Sequence, residues 1–119
     1  MPTIFLKRVY EPFDETDGVR VLIDRLWPRG ISKEEAHLSY WLKDVAPSSE
    51  LRKWFCHKPE LFEEFRLKYL EELKGEKIEA LLKIAREDNV TLLYGAKDQV
   101  YNHAVVLLEE LNRRLESAE

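Results

Sequence analysis

The spacing of apolar residues changes period several times along the chain. From Thr3 to Tyr10 ("TIFLKRVY") β-branched and aromatic residues crowd a short run that stops at Glu11-Pro12, where proline restricts the residue before it, and a strand is predicted. "EPFDETDG" carries turn chemistry in Pro12, Asp14, Asp17 and Gly18. "VRVLI" (Val19 to Ile23) then reads as a mostly apolar strand buried on both faces, the best candidate for the centre of a sheet. Pro28 and Gly30 interrupt the chain, and Ser32 with Glu35 matches a capping box that opens a short helix. "LSYWLKDVAP" fits either a short helix or an irregular stretch presenting Leu38, Trp41, Leu42 and Val45 to the core.

The second half is more regular. Leu51, Trp54 and Phe55 at i, i+3 and i+4 form one apolar face of a short helix after Pro47-Ser48-Ser49. Pro59 suits the first turn of the next helix and Gly75 its stop, with Phe62, Phe65, Tyr69 and Leu73 as the buried stripe. Ile78, Leu81, Leu82 and Ala85 repeat the pattern in a further helix ahead of Asp88-Asn89, and "VTLLYGA" (Val90 to Ala96) follows as a buried strand. A last helix has Ala104, Leu107, Leu108, Leu111 and Leu115 on its inner stripe, with Glu109, Glu110, Asn112, Arg113 and Arg114 expected to face water. Strands separated by helices predict an α/β fold: a small, mainly parallel sheet flanked by helices, three-layer-like, in a single domain over residues 1–119.

Composition narrows the function classes. The 119 residues are 45% hydrophobic and 35% charged, enough apolar surface for one core beneath an ionic exterior. No run reaches the roughly 18 apolar residues of a membrane span, and "MPTIFLKRVYEPF" lacks the long apolar core of a signal peptide, so a soluble cytoplasmic protein is expected. Cys56 is the only cysteine, and His37, His57 and His103 show no ligand spacing, so no disulfide, metal or other cofactor is expected. Neither a Walker-type loop nor a dinucleotide glycine fingerprint occurs. The net charge of −4 argues against broad nucleic-acid binding while leaving room for a local basic patch.

Parallel strands direct attention to "DRLWPRG" and "GAKDQVYNH", because ligands of open parallel sheets bind outside the carboxyl ends of the strands. If the strands preceding them run parallel, Asp24, Arg25 and Arg29 meet Lys97, Asp98, Asn102 and His103 at one edge. Guanidinium groups hold phosphate or carboxylate through paired hydrogen bonds, and a helix N-terminus adds backbone donors, so a small anionic ligand fits these parts. Trp27 would wall the pocket, Asp24 would orient Arg25 or act as a base, and His103 supplies the imidazole suited to proton transfer near neutral pH.

"LKRVYEP", "DGVRVLIDRLWPRGISKEEA", "WLKDVAPSSELRKWF" and "VTLLYGAKDQVYNHAVVLLEEL" together resemble the YeaO-like family, a branch of the group known as domain of unknown function 488. The resemblance spans nearly the whole chain and implies relatives of the same fold, but the family has no established activity to carry over. In a related branch the last of these stretches holds a Cys-His-Arg triplet. Here Asn102-His103-Ala104 stand in the similar place, and only the histidine matches.

Each feature also has a structural reading. Asp24 with Arg25, and Asp98 with Lys97, are equally suited to salt bridges that hold loop geometry. Trp27, Trp41 and Trp54 are better read as packing than as a base-stacking platform, and His103 at a helix start fits a backbone hydrogen bond. Two functional readings remain: a noncatalytic module binding an anion between the 24–30 and 95–103 loops, and a small enzyme acting on a phosphorylated or nucleotide-like substrate through His103 and Asp24.

Overall fold

A computed structural model describes residues 3–117. Four strands, β1 (Ile4–Arg8), β2 (Val19–Leu22), β3 (Tyr40–Trp41) and β4 (Val90–Tyr94), form one sheet in the order β1-β4-β2-β3, every neighbouring pair parallel. Around it lie α1 (Lys33–Ala36), α2 (Ser49–Phe55), α3 (Phe62–Glu72), α4 (Glu79–Glu87) and α5 (His103–Ser117). The expected α/β architecture is the one observed. Strand ends are tighter than the apolar runs, with Thr3 and Tyr10 outside β1 and Gly95-Ala96 outside β4. The open stretch at residues 38–47 resolves into the two-residue strand β3 and a single 3₁₀ turn at Lys43–Val45.

Side-chain alternation on β2 and β4 divides the interior between the two faces of the sheet. Val21, Ile23, Val90, Leu92 and Tyr94 join Leu51, Phe55, Phe62, Phe65, Tyr69, Leu81, Leu107 and Leu111 in the principal core, so α2 to α5 share one face. Leu22 and Leu93 point the other way, onto Val9 and Ala36, and this smaller cluster is covered by Trp27, Ile31, Leu38 and Trp41. The second layer is therefore thin: four residues of α1 and two tryptophans do what longer helices do opposite. Ser32 caps α1 as its sequence predicts, its hydroxyl accepting from Glu35 N–H while the Glu35 carboxylate accepts from Ser32 N–H.

Two readings of exposure need correction. Trp54 is exposed, and Lys68 lies over its ring 5.0 Å from the centroid. Leu51 and Phe55 alone hold α2 to the core. Glu110 is buried, not solvated: its carboxylate accepts from Arg113 and from Arg114, whose guanidinium also reaches the carbonyl of Leu73. The apolar strand β2 contains Arg20, 1% exposed, paired with Asp17 and donating twice to the carbonyl of Ala36. That ion pair fastens the turn before β2 to the end of α1, on the thin side of the sheet.

Candidate functional site

The site is built by the parallel pairing of β2 with β4. Ile23 N–H still donates to Leu93 C=O at 3.0 Å, after which both chains leave the sheet at the same edge. Asp24, the first residue beyond that bond, ties the two exits together. Its Oδ2 accepts from Gly95 N–H at 2.9 Å, and its backbone carbonyl accepts from Trp41 Nε1 at 2.7 Å. His103 begins α5 and brings Nε2 to 3.1 Å from the carbonyl of Ile23 and 3.1 Å from Asp24 Oδ1. Both neighbours accept, so Nε2 carries the proton, leaving Nδ1 as the nitrogen with a free lone pair when the ring is neutral. The bond runs to Ile23. Asp24 Oδ1, off its line, is buried with no hydrogen bond among the described residues.

A cavity of about 420 Å³ opens beside this knot. Of the residues singled out in the sequence, Asp24, Arg25, Trp27, Arg29, Asn102 and His103 line it. Lys97 and Asp98 do not. Lys97 is exposed, while Asp98 accepts from Val100 N–H and Tyr101 N–H, bonds that hold its carboxyl below the usual range. Asn102 has a capping role besides its place in the wall: Oδ1 accepts from Val105 N–H at 3.1 Å and Nδ2 donates to the carbonyl of Asp98 at 2.7 Å.

Arg25 is not the partner of Asp24. Its Nε donates to Pro47 C=O at 3.2 Å and one terminal nitrogen to Ala46 C=O at 3.1 Å, leaving the other terminal nitrogen without a hydrogen bond among the described residues. The same segment is held from behind by Tyr69, whose hydroxyl donates to Val45 C=O. Burial, with the nearby Glu72 and Asp24 charges adding to it, pushes the Tyr69 phenol far above its ordinary value, so this donor stays protonated. Trp27 donates Nε1 to Ile31 C=O and meets Trp41 edge to face at 5.3 Å, which fixes the wall.

Two further lining residues come from α2 and its exit, Arg52 and His57. Arg52 precedes the cavity-lining Phe55 by three positions, a spacing that places both on one helix face. That spacing is the signal available in the sequence, but only the fold shows that this face turns toward the β-strand exits. Cys56 and His57 both adopt left-handed backbone, φ 47° and 55°, which ends α2 and swings His57 to the cavity. Among the described residues Arg25, Arg29 and Arg52 form no ion pair with a carboxylate. Also among them, no group of three His, Cys, Asp or Glu is placed to hold a metal, and no helix is long and apolar enough to cross a membrane.

A family model described as "Inactive DUF488-N3 subclade" matches residues 3–119. An uncharacterised protein of Escherichia coli K12, YeaO, is 47% identical over 107 residues, 88% of this chain and 93% of its own length. Uncharacterised proteins of Mycobacterium tuberculosis and Mycobacterium bovis are each 46% identical over 108 residues, 90% of this chain and 92% of theirs. No solved structure matches.

Proposed function

Because the chain belongs to the family described as the inactive DUF488-N3 subclade, we propose that it works by binding a small anion without transforming it. The observation that carries this reading is the set of three arginines, Arg25, Arg29 and Arg52, lining one cavity with no carboxylate ion-paired to any of them among the described residues. Guanidinium groups left unpaired around a concave space oppose one another until an anion enters, and each offers parallel N–H donors that match phosphate or carboxylate. Arg25 is preorganised for this by the Ala46 and Pro47 carbonyls, so little side-chain entropy is lost when its remaining nitrogen is engaged.

Binding is favoured over catalysis by the wall itself. The cavity lining has no serine, threonine, cysteine or lysine to act as a base-activated nucleophile. Asp24 holds the ends of β2, β4 and α5 together, and its buried Oδ1 has no surface on which to meet a substrate proton. Asp24 is accordingly a positioning residue, with His103 and Asn102 completing the ligand site and Trp27 its side wall. The catalytic alternative would use His103 Nδ1 as its base.

Thermal unfolding with and without inorganic phosphate tests the proposal. A ligand at 100 times its Kd stabilises the folded state by about 2.7 kcal/mol, a shift of several degrees. Arg29→Ala and Arg52→Ala are expected to unfold within about 0.5 kcal/mol of the parent without phosphate, because both side chains are exposed, and to lose most of the phosphate response. No response in the parent to phosphate or carboxylates at millimolar concentration overturns the anion site, as does an undiminished response in both variants.

A further inference from the structure

Resting on the anion-binding reading, we propose that the ligand is a phosphomonoester carrying a compact apolar body such as an aryl ring, in place of a bare inorganic ion or a carboxylate. Two properties of the cavity lead there. The first is charge. Arg25, Arg29 and Arg52 set against Asp24 leave two positive charges on the lining when the histidines are neutral. A phosphomonoester carries about 1.5 to 2 negative charges near neutral pH, whereas a monocarboxylate or a phosphodiester carries one. The dianion matches the lining, and the singly charged groups leave part of it unbalanced.

The second property is the space left once the charge is seated. The 420 Å³ cavity lies in the roughly 300–1,000 Å³ range of sites that enclose organic ligands, and an inorganic ion fills only a small part of it. Much of the remaining wall is apolar: Leu26, Trp27, Pro28, Phe55 and Phe65 contribute to it. Phe55 and Phe65 stack at 4.4 Å and belong to the principal core, so this part of the wall is rigid. Leu26 is unlike them, 59% exposed although it lies between a buried strand and a half-buried tryptophan. A leucine held in water at the mouth of a cationic cavity gains contact only when something apolar is seated there. The arginines therefore take the phosphoryl oxygens and the apolar wall takes the body.

The test is titration calorimetry of the full chain with three probes: inorganic phosphate, phenyl phosphate and benzoate. Phenyl phosphate is expected to bind at least tenfold more tightly than either of the others. Leu26→Ser should remove most of that advantage without changing the affinity for inorganic phosphate, and Arg52→Ala should weaken both phosphates together. Equal affinity for phenyl phosphate and phosphate overturns the apolar body while leaving the anion site intact. Benzoate binding as tightly as phenyl phosphate overturns the match to a dianion. Failure of all three probes to bind removes this inference and the anion site with it.

Discussion

His103 Nε2 stands 3.1 Å from Asp24 Oδ1 and equally far from the carbonyl of Ile23, so a single N–H sits where β2, its exit loop and α5 come together. Asp24 completes the junction by accepting from Gly95 N–H at the end of β4. The two residues should therefore act as a unit. In Asp24→Asn the amide either keeps its oxygen on Gly95 N–H and sets its NH₂ against the Nε2 proton, or turns its NH₂ to Gly95 and loses that bond. A loss of about 1–3 kcal/mol is expected from Asp24→Asn and from His103→Gln. The double variant should lose less than the sum, with a coupling of about 0.5–3 kcal/mol in urea unfolding. Strict additivity would show that the two side chains do not support each other.

The pair on the thin side of the sheet is a separate support. Arg20 is 1% exposed and holds both the Asp17 carboxylate and the Ala36 carbonyl, with Lys7 reaching both Asp17 oxygens at 3.1 Å. Arg20→Met strands that carboxylate and frees the end of α1, for an expected loss of about 3–5 kcal/mol in denaturant unfolding. A loss below about 1 kcal/mol would mean that Lys7 alone suffices for Asp17.

Acid stability follows from the same carboxylate. Burial raises the Asp17 pKa, but the bonds from Lys7, the Asp14 N–H and Arg20 outweigh it, and the folded value lies below the ordinary one. Its stabilisation is thus complete above the unfolded pKa of about 4 and disappears as pH falls through the lower folded value. Glu110 adds to the same limb, since the Arg113 bond outweighs burial and Arg114 lowers its pKa further. Asp17→Asn is expected to be less stable than the parent at pH 7 and to have a shallower dependence of unfolding free energy on pH below 5. Parallel acid limbs for parent and variant would remove Asp17 as a source of the dependence.

These two pairs mark where sequence and structure part. Val19 to Ile23 identifies β2 because its apolar residues dominate the run, yet the same run conceals Arg20, whose burial depends on a partner three residues earlier and a carbonyl 16 residues later. Periodicity reports which face is apolar and is silent on a charge that brings its own counter-charge inside. Glu110 shows the same thing on α5, where its helical position allows either burial or exposure and two neighbouring arginines settle it. At the candidate site, the loops after β2 and β4 were legible because chain direction alone sends parallel neighbours out on one edge. Arg52 was not, since its place depends on how α2 lies across that edge. Lys97 stood in the right loop, but residue 97 lies before the turn that Asp98 organises and its side chain is outside the cavity wall.

Gly18 is required by geometry on both counts that matter. Its φ of 68° with ψ −137° is a region that side chains avoid, and a Cβ there would stand 2.4 Å from the carbonyl oxygen of Asn89. That oxygen accepts from Val19 N–H at 2.9 Å, so it cannot withdraw without loosening the start of β2 on β4. Gly18→Ala should lose at least about 2 kcal/mol in urea unfolding. Retention of parent stability would show that the turn has another conformation open to it.

Arg25 has two duties that one substitution can separate. Its guanidinium holds the Ala46 and Pro47 carbonyls with two nitrogens, the third has no hydrogen bond among the described residues, and the side chain belongs to a residue lining the cavity. A lysine there keeps the charge and loses the fork, so it cannot hold both carbonyls in the same geometry while facing a ligand. Arg25→Lys is therefore expected to destabilise the ligand-free protein by about 1.5–3 kcal/mol, the worth of a charge-assisted bond, whereas Arg52→Ala leaves that state nearly unchanged. Phosphate should still stabilise Arg25→Lys, by less than it stabilises the parent, because a point charge remains in the cavity. Thermal melts of both variants across a phosphate series separate the two duties. If Arg25→Lys matches the parent without phosphate, the carbonyl bonds are not structural; if it shows no phosphate response while Arg52→Ala keeps its own, the anion is held by Arg25 alone.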